Sequence, residues 1–140
     1  MTIFWRVLDA NLNRAREGLR VCEEVARFLL ESPALTMRCR RLRSDLDRMA
    51  RRLPRGRLLS ARNSGEDVGH PDRRRSLGGH RHVADLVTAN LRRVQEALRV
   101  LEEFGRMRSQ ALSRDFGRLR FRAYALEQDF HSAKPSLRHR

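Results

Sequence analysis

From Leu8 onward, apolar residues recur three or four positions apart: Leu8, Leu12, Ala15, Leu19, Cys22, Ala26 and Leu29. At the helical 100° per residue they share one arc roughly 100° wide, the core face of an amphipathic helix. Arg16, Arg20, Glu23 and Arg27 fall opposite and read as solvated, with Glu23 and Arg27 at the i,i+4 spacing that favours an ion pair. The pattern predicts a first helix from about residue 6 to about residue 31, with the preceding residues leading into it. Ser32-Pro33 ends it and starts the next, because serine caps helix N-termini and proline fits the first turn. Leu35, Cys39, Leu42, Leu46, Met49 and Leu53 continue the period over about 33–53, and Pro54-Arg55-Gly56 stops it.

Ala10–Arg27, ANLNRAREGLRVCEEVAR, returns at Ala89–Arg106 as ANLRRVQEALRVLEEFGR, with 11 of 18 positions identical at an offset of 79. Repetition of that quality in a short chain marks an internal duplication. A third helix begins near Arg81, and Ser109 caps a fourth that runs to about His131. The fourth also echoes the second, since ALT precedes RLR at 41–43 and ALS precedes RLR at 118–120. The repeated unit is therefore a helical hairpin. The expected fold is all-α: a four-helix arrangement of two duplicated hairpins (about 6–53 and 81–131) in one domain over 1–131, followed by a basic tail at 132–140. Between the hairpins the period is lost from Leu58 to Gly79, and a loop of that length in a compact domain is usually functional or disordered.

Two features of the repeat ask for more than packing. Asn11 sits at the edge of the apolar arc, with Arg14 and Glu17 stepping away from it, and Asn90, Arg93 and Glu96 repeat that flank. An amide, a guanidinium and a carboxylate at i, i+3 and i+6 suit a heterocycle edge, a phosphate oxygen and a proton or metal. The plainer alternatives are a buried asparagine that fixes helix register and an ordinary intrahelical ion pair. Two like hairpins would bring both flanks toward one cleft, roofed by the 58–79 loop. In that loop Arg62, Asp67 and Gly69 stand in RNSGEDVG, followed by RRRSLGG. Glycines beside arginines can surround a polyphosphate, and Asp67 is the candidate ligand for Mg²⁺.

At 140 residues and 40% apolar content, the chain suits a domain with a real core. No stretch reaches the ~18 consecutive apolar residues of a membrane span, and no signal peptide opens the chain, so the expected location is cytoplasmic without a membrane partner. Cys22 and Cys39 form no CxxC pair, and neither a disulfide framework nor a structural metal is expected. The net charge of +14, nearly all from arginine, favours anionic partners: nucleic acid, nucleotides or phosphorylated metabolites. Aromatics are 6% and not interleaved with the arginines, which argues against a base-stacking surface. No Walker A, kinase glycine-rich loop or nucleophile elbow is present, so phosphoryl chemistry would use an unfamiliar site.

VLDANLNRAREGLRVCEEVARF, the Arg-x-x-x-x-Asp-x-Gly loop and VTANLRRVQEALRVLEEFGR together resemble the small hydroxymethylpyrimidine phosphate kinase family, found fused N-terminally to thiamine phosphate synthase in some bacteria. The similarity reaches to about residue 130. It implies ATP-dependent phosphorylation of 4-amino-5-hydroxymethyl-2-methylpyrimidine phosphate to the diphosphate, with ATP and Mg²⁺ as cofactors. Lacking the synthase barrel after the second hairpin, the chain is expected to act alone or with a separate synthase, and a homodimer is left open. On this reading Arg14, Arg93 and Arg62 take phosphates. Glu17, Glu96 and Asp67 hold Mg²⁺ or accept a hydroxyl proton, and Asn11 and Asn90 meet the pyrimidine edge or support it. The alternatives are a basic helical nucleic-acid-binding protein and a non-catalytic scaffold or dimerisation domain of thiamine enzymes.

Overall fold

A computed structural model describes residues 2–69 and 82–133. Among these there are five α-helices and no strand: α1 Thr2–Glu24, α2 Pro33–Ala50, α3 Arg55–Ala61, α4 Val83–Gly105 and α5 Gln110–Ser132. The all-α expectation holds, with three differences. The first helix starts at Thr2 rather than near residue 6, because Phe4 and Trp5 are already core residues. Residues 55–61 are helical although the apolar period fails there: Pro54 caps the segment and Leu58 and Ala61 bury against the core. A 3₁₀ turn follows at Ser64–Glu66. The rest of the expected loop, 70–79, and the basic tail from Lys134 lie outside the described residues.

Both hairpins close on the serine caps read from sequence. Ser32 accepts from the Leu35 N–H at 3.2 Å and Ser109 from the Leu112 N–H at 3.0 Å. The first turn is two residues longer, which lowers the repeat offset from 79 to 77 beyond it. The extra length is taken up by a π-helical turn at Val25–Leu29 and by Glu31 at φ 49°, where the Ser32 N–H reaches back to the Ala26 carbonyl at 2.9 Å.

The same polar link also recurs in each hairpin. Glu23 bonds Arg43 at 2.8 Å and Arg40 at 3.2 Å, and Glu102 bonds Arg120 at 2.8 Å. Glu23 was expected to be solvated and paired with Arg27. It is instead 2% exposed, because α2 crosses the side of α1 that a single-helix projection leaves open. Burial opposes ionisation of both carboxyls. The bonds from Arg43 and Arg40 on Glu23, and from Arg120 and Arg99 on Glu102, together with the arginine charges, outweigh it and hold both below the usual carboxylate range.

α1 and α4 form the central pair. Gly18 lies against Asn90 and Val94, and Cys22 against the Val87 carbonyl, so the helices run antiparallel, as two like hairpins do about an approximate twofold axis. α2 and α5 close the other side, also antiparallel, through Arg38–Asp129, Asp45–Arg122 and Arg52–Asp115. Each exposed pair contributes only ~0.2–1 kcal/mol. The sequence of signs, Arg-Asp-Arg facing Asp-Arg-Asp at seven-residue steps, fixes the register between unlike halves. Both cysteines are free and buried, and burial pushes the Cys39 thiol up to about 12 and the Cys22 thiol further, so they act as small core residues.

Gly18 sets how closely α1 and α4 approach. A Cβ there would stand 2.7 Å from Val94 Cγ2 and 2.9 Å from the Asn90 carbonyl oxygen, a backbone atom that cannot swing away. Alanine would add up to ~1 kcal/mol of helix propensity but cost ~1–3 kcal/mol of overpacking. Gly18→Ala is therefore expected to lower stability, and Gly18→Val to lower it further, in chemical denaturation. A stabilised Gly18→Ala would show that the helices are not held this close.

Candidate functional site

The polar residues singled out in the repeat separate into two groups. Asn11 and Asn90 are each 5% exposed, and each donates its amide to the carbonyl one turn back in its own helix: Val7 at 2.8 Å and Leu86 at 2.9 Å. Each thus commits one of its two amide N–H donors to its own helix. The Asn11 oxygen remains in use, accepting from Arg14 Nη1 at 3.2 Å, so Asn11 aims Arg14. Arg14, Glu17, Arg93 and Glu96 are all exposed.

Among the described residues, the cavity described next lies at the first copy of the flank, where α3 and the segment after it pack along α1. Arg6, Asp9, Ala10, Asn13, Arg14 and Glu17 from α1 meet Arg62, Asn63 and Asp67 around a cavity of about 340 Å³. Four of the residues picked from sequence come together here: Arg14, Glu17, Arg62 and Asp67. Asn11 stands behind Arg14, whereas Asn90, Arg93 and Glu96 line neither this cavity nor its neighbour.

The segment from Arg62 is pinned by its own polar groups. Arg62 grips Asp9 through two bonds of 2.8 Å, Nε to Oδ2 and Nη2 to Oδ1. Asp9 is 6% exposed, and its hydrogen bonds and charge push the Arg62 pKa further up, so that guanidinium stays charged. Asn63 donates to Glu66 at 2.9 Å, and Asp67 Oδ1 accepts from the Gly69 N–H at 2.7 Å, while its second oxygen has no hydrogen-bond partner among the described residues.

Asp9 was missed in the sequence. The second copy has Thr88 at its position, so the repeat gave it no weight, yet a carboxylate on the core side of an amphipathic helix calls for a cation. A second cavity of about 470 Å³ adjoins the first between α1, the end of α2 and α3, and the two share Asp9, Asn13 and Arg62. Among the described residues no three His, Cys, Asp or Glu side chains gather to hold a metal, and no helix is long and apolar enough to cross a membrane.

These features define an all-helical protein of duplicated hairpins whose symmetry is broken by a connection that builds charged clefts on one half. The chain belongs to the ThiD2 family, which it matches over residues 6–129. It is 44% identical over 133 residues to a thiamine-phosphate synthase of Synechocystis sp., covering 95% of this chain and 38% of that protein. It is 44% identical over 123 residues to one from Thermosynechococcus vestitus (88% and 34%), and 38% identical over 120 residues to one from Rhodopirellula baltica (86% and 32%). The chain thus spans about a third of the length of these relatives. No solved structure matches it.

Proposed function

We propose that the chain transfers the γ-phosphoryl group of ATP to 4-amino-5-hydroxymethyl-2-methylpyrimidine phosphate, giving the diphosphate used in thiamine biosynthesis. The relatives named thiamine-phosphate synthase support the pathway, since a domain that makes the activated pyrimidine would serve such an enzyme. The observation that carries the reaction is the meeting of Arg14, Glu17, Arg62 and Asp67 at one cavity, from positions far apart in the chain. Phosphoryl transfer depends on charge neutralisation and in-line positioning more than on covalent chemistry by the protein.

The acceptor in this reaction is a phosphate oxygen. With a second pKa of ~6 it is largely deprotonated at neutral pH, so no general base is needed. The carboxylates then serve Mg²⁺, which is commonly bound through one or two carboxylates together with substrate phosphates. Glu17 and Asp67 fit that requirement as two carboxylates on one cavity. Bound there, Mg²⁺ would neutralise phosphate charge. Arg14, aimed by Asn11, orients the acceptor phosphate. The reading rests on the first flank, and Asn90, Arg93 and Glu96 have no place in the binding set.

The test is turnover of ATP and the pyrimidine phosphate with Mg²⁺, following the diphosphate and ADP by ³¹P NMR. Arg14→Ala is expected to slow diphosphate formation at least tenfold, or ~1.4 kcal/mol, with unchanged helical content. Absence of ADP formation by the intact protein would overturn the reading, as would full activity in Arg14→Ala.

A further inference from the structure

We propose that the larger of the adjoining cavities is the subsite for the polyphosphate of the donor nucleotide, held by Arg51 and Arg55 with Arg16. This rests on the phosphotransferase reading above and assigns to it a place that the sequence motifs did not mark. The walls of the cavity come from three elements: Asp9, Leu12, Asn13 and Arg16 of α1, Asp47 and Ala50 of α2, and Arg55, Leu58 and Leu59 of α3.

Charge separates the two cavities. The larger one has four guanidiniums, Arg16, Arg51, Arg55 and Arg62, against two carboxylates, Asp9 and Asp47. Both carboxylates are engaged, Asp47 by Arg16 at 2.6 Å and Asp9 by Arg62. Arg51 and Arg55 are exposed and have no ion pair among the described residues. Like charges gathered in a concave site, with no carboxylate to spare, attract a multivalent anion. The smaller cavity is balanced, with Arg6, Arg14 and Arg62 facing Asp9, Glu17 and Asp67, which suits an acceptor accompanied by a divalent cation.

Size and lining agree. About 470 Å³ lies within the range of small-molecule sites, and Leu12, Ala50, Leu58 and Leu59 give the apolar surface that a nucleotide's base or sugar can cover. The shared residues Asp9, Asn13 and Arg62 form the partition at which donor and acceptor meet. There an acceptor phosphate oxygen forms its bond to the γ-phosphorus while the bond from that phosphorus to the β,γ-bridging oxygen breaks. The electron pair leaves with ADP, and no proton has to move. α3, which completes this cavity, follows α2, and most of the positions that would match it after α5 lie outside the described residues.

The experiment compares the full chain with Arg51→Ala/Arg55→Ala and with a charge-matched control, Arg27→Ala/Arg114→Ala, both of whose arginines are exposed and lie outside this cavity. Calorimetric titration with inorganic tripolyphosphate, and separately with ADP, is expected to show at least tenfold weaker binding in Arg51→Ala/Arg55→Ala only. In turnover, KM for ATP should rise at least tenfold while KM for the pyrimidine phosphate stays within twofold. Unchanged tripolyphosphate and ADP binding would overturn the subsite, and so would an equal loss in the control, which would mark a general charge effect. If the intact chain makes no diphosphate yet binds tripolyphosphate through Arg51 and Arg55, the subsite stands and the phosphotransferase reading falls.

Discussion

Replacing Arg40 and Arg43 together by alanine will lower the unfolding free energy at pH 7 by about 3 kcal/mol. Removing the partners of a buried ion costs ~3–5 kcal/mol, because the charge left behind is neither paired nor hydrated. Glu23 meets that condition at 2% exposure, and Arg20, at 4.0 Å, is too far to replace the two bonds lost. The lower end of the range applies because Arg43 Nε is itself buried without a partner, a cost of ~1–3 kcal/mol that the substitution relieves. pH separates this cause from lost packing. In the native protein Glu23 titrates below its usual range, so its contribution is present above the unfolded pKa and disappears as pH falls through the folded one. In the variant burial is opposed only by the charge of Arg20 and is expected to raise the folded pKa, so the penalty exists above the unfolded value and vanishes below it. The gap between the two proteins should therefore narrow progressively as pH falls below the usual carboxylate range and through the folded pKa of Glu23. Urea denaturation at pH 7 and at a series of acid pH values measures both; a gap that stays constant with pH would assign the loss to packing instead.

That carboxylate also shows where a sequence stops being legible. The apolar period of Leu8 to Leu29 and its repeat identify α1 and α4, and the serines at 32 and 109 place both turns, because these are local signals. The side on which α2 crosses α1 is not local, so Glu23 falls opposite the core of its own helix and is still buried. The signal was present in the duplication, since Glu23 with Arg43 and Glu102 with Arg120 are matched charges in matched copies. A matched asparagine drew attention instead, and its amide turned out to serve its own helix. α3 escaped notice because seven residues with Gly56 carry little intrinsic helicity, and the burial of Leu58 and Ala61 that stabilises it is tertiary. Of the candidate site, Arg14 and Glu17 were legible as a repeated flank and Arg62 and Asp67 as a glycine-flanked polar run. Asp9, which ties the two together, is replaced by Thr88 in the second copy.

On the proposed phosphoryl transfer, Arg62→Ala is expected to lower formation of the pyrimidine diphosphate by at least about 100-fold, or ~2.7 kcal/mol of transition-state stabilisation. Arg62 lies on the wall shared by both cavities, where a phosphoryl group passing from one to the other would carry the most charge. Arginines in that position contribute 10³–10⁵ in the well-studied phosphoryl transferases. The grip on Asp9 does not prevent this, for it uses Nε and Nη2 and leaves further N–H donors of the fork for phosphate oxygens. A purely structural ion pair would also be damaged by the substitution, since Asp9 would be left buried and unpaired. Two further variants separate the cases. Arg62→Lys keeps the charge beside Asp9 but cannot hold Asp9 and a phosphate at once, so stability should return toward the native value while activity stays at least tenfold down. Asp9→Asn removes the carboxylate but keeps the arginine, so it should cost stability and less rate than Arg62→Ala. If activity across the three variants merely follows the folded fraction measured by circular dichroism, the Arg62–Asp9 pair only braces the segment after α3 against α1.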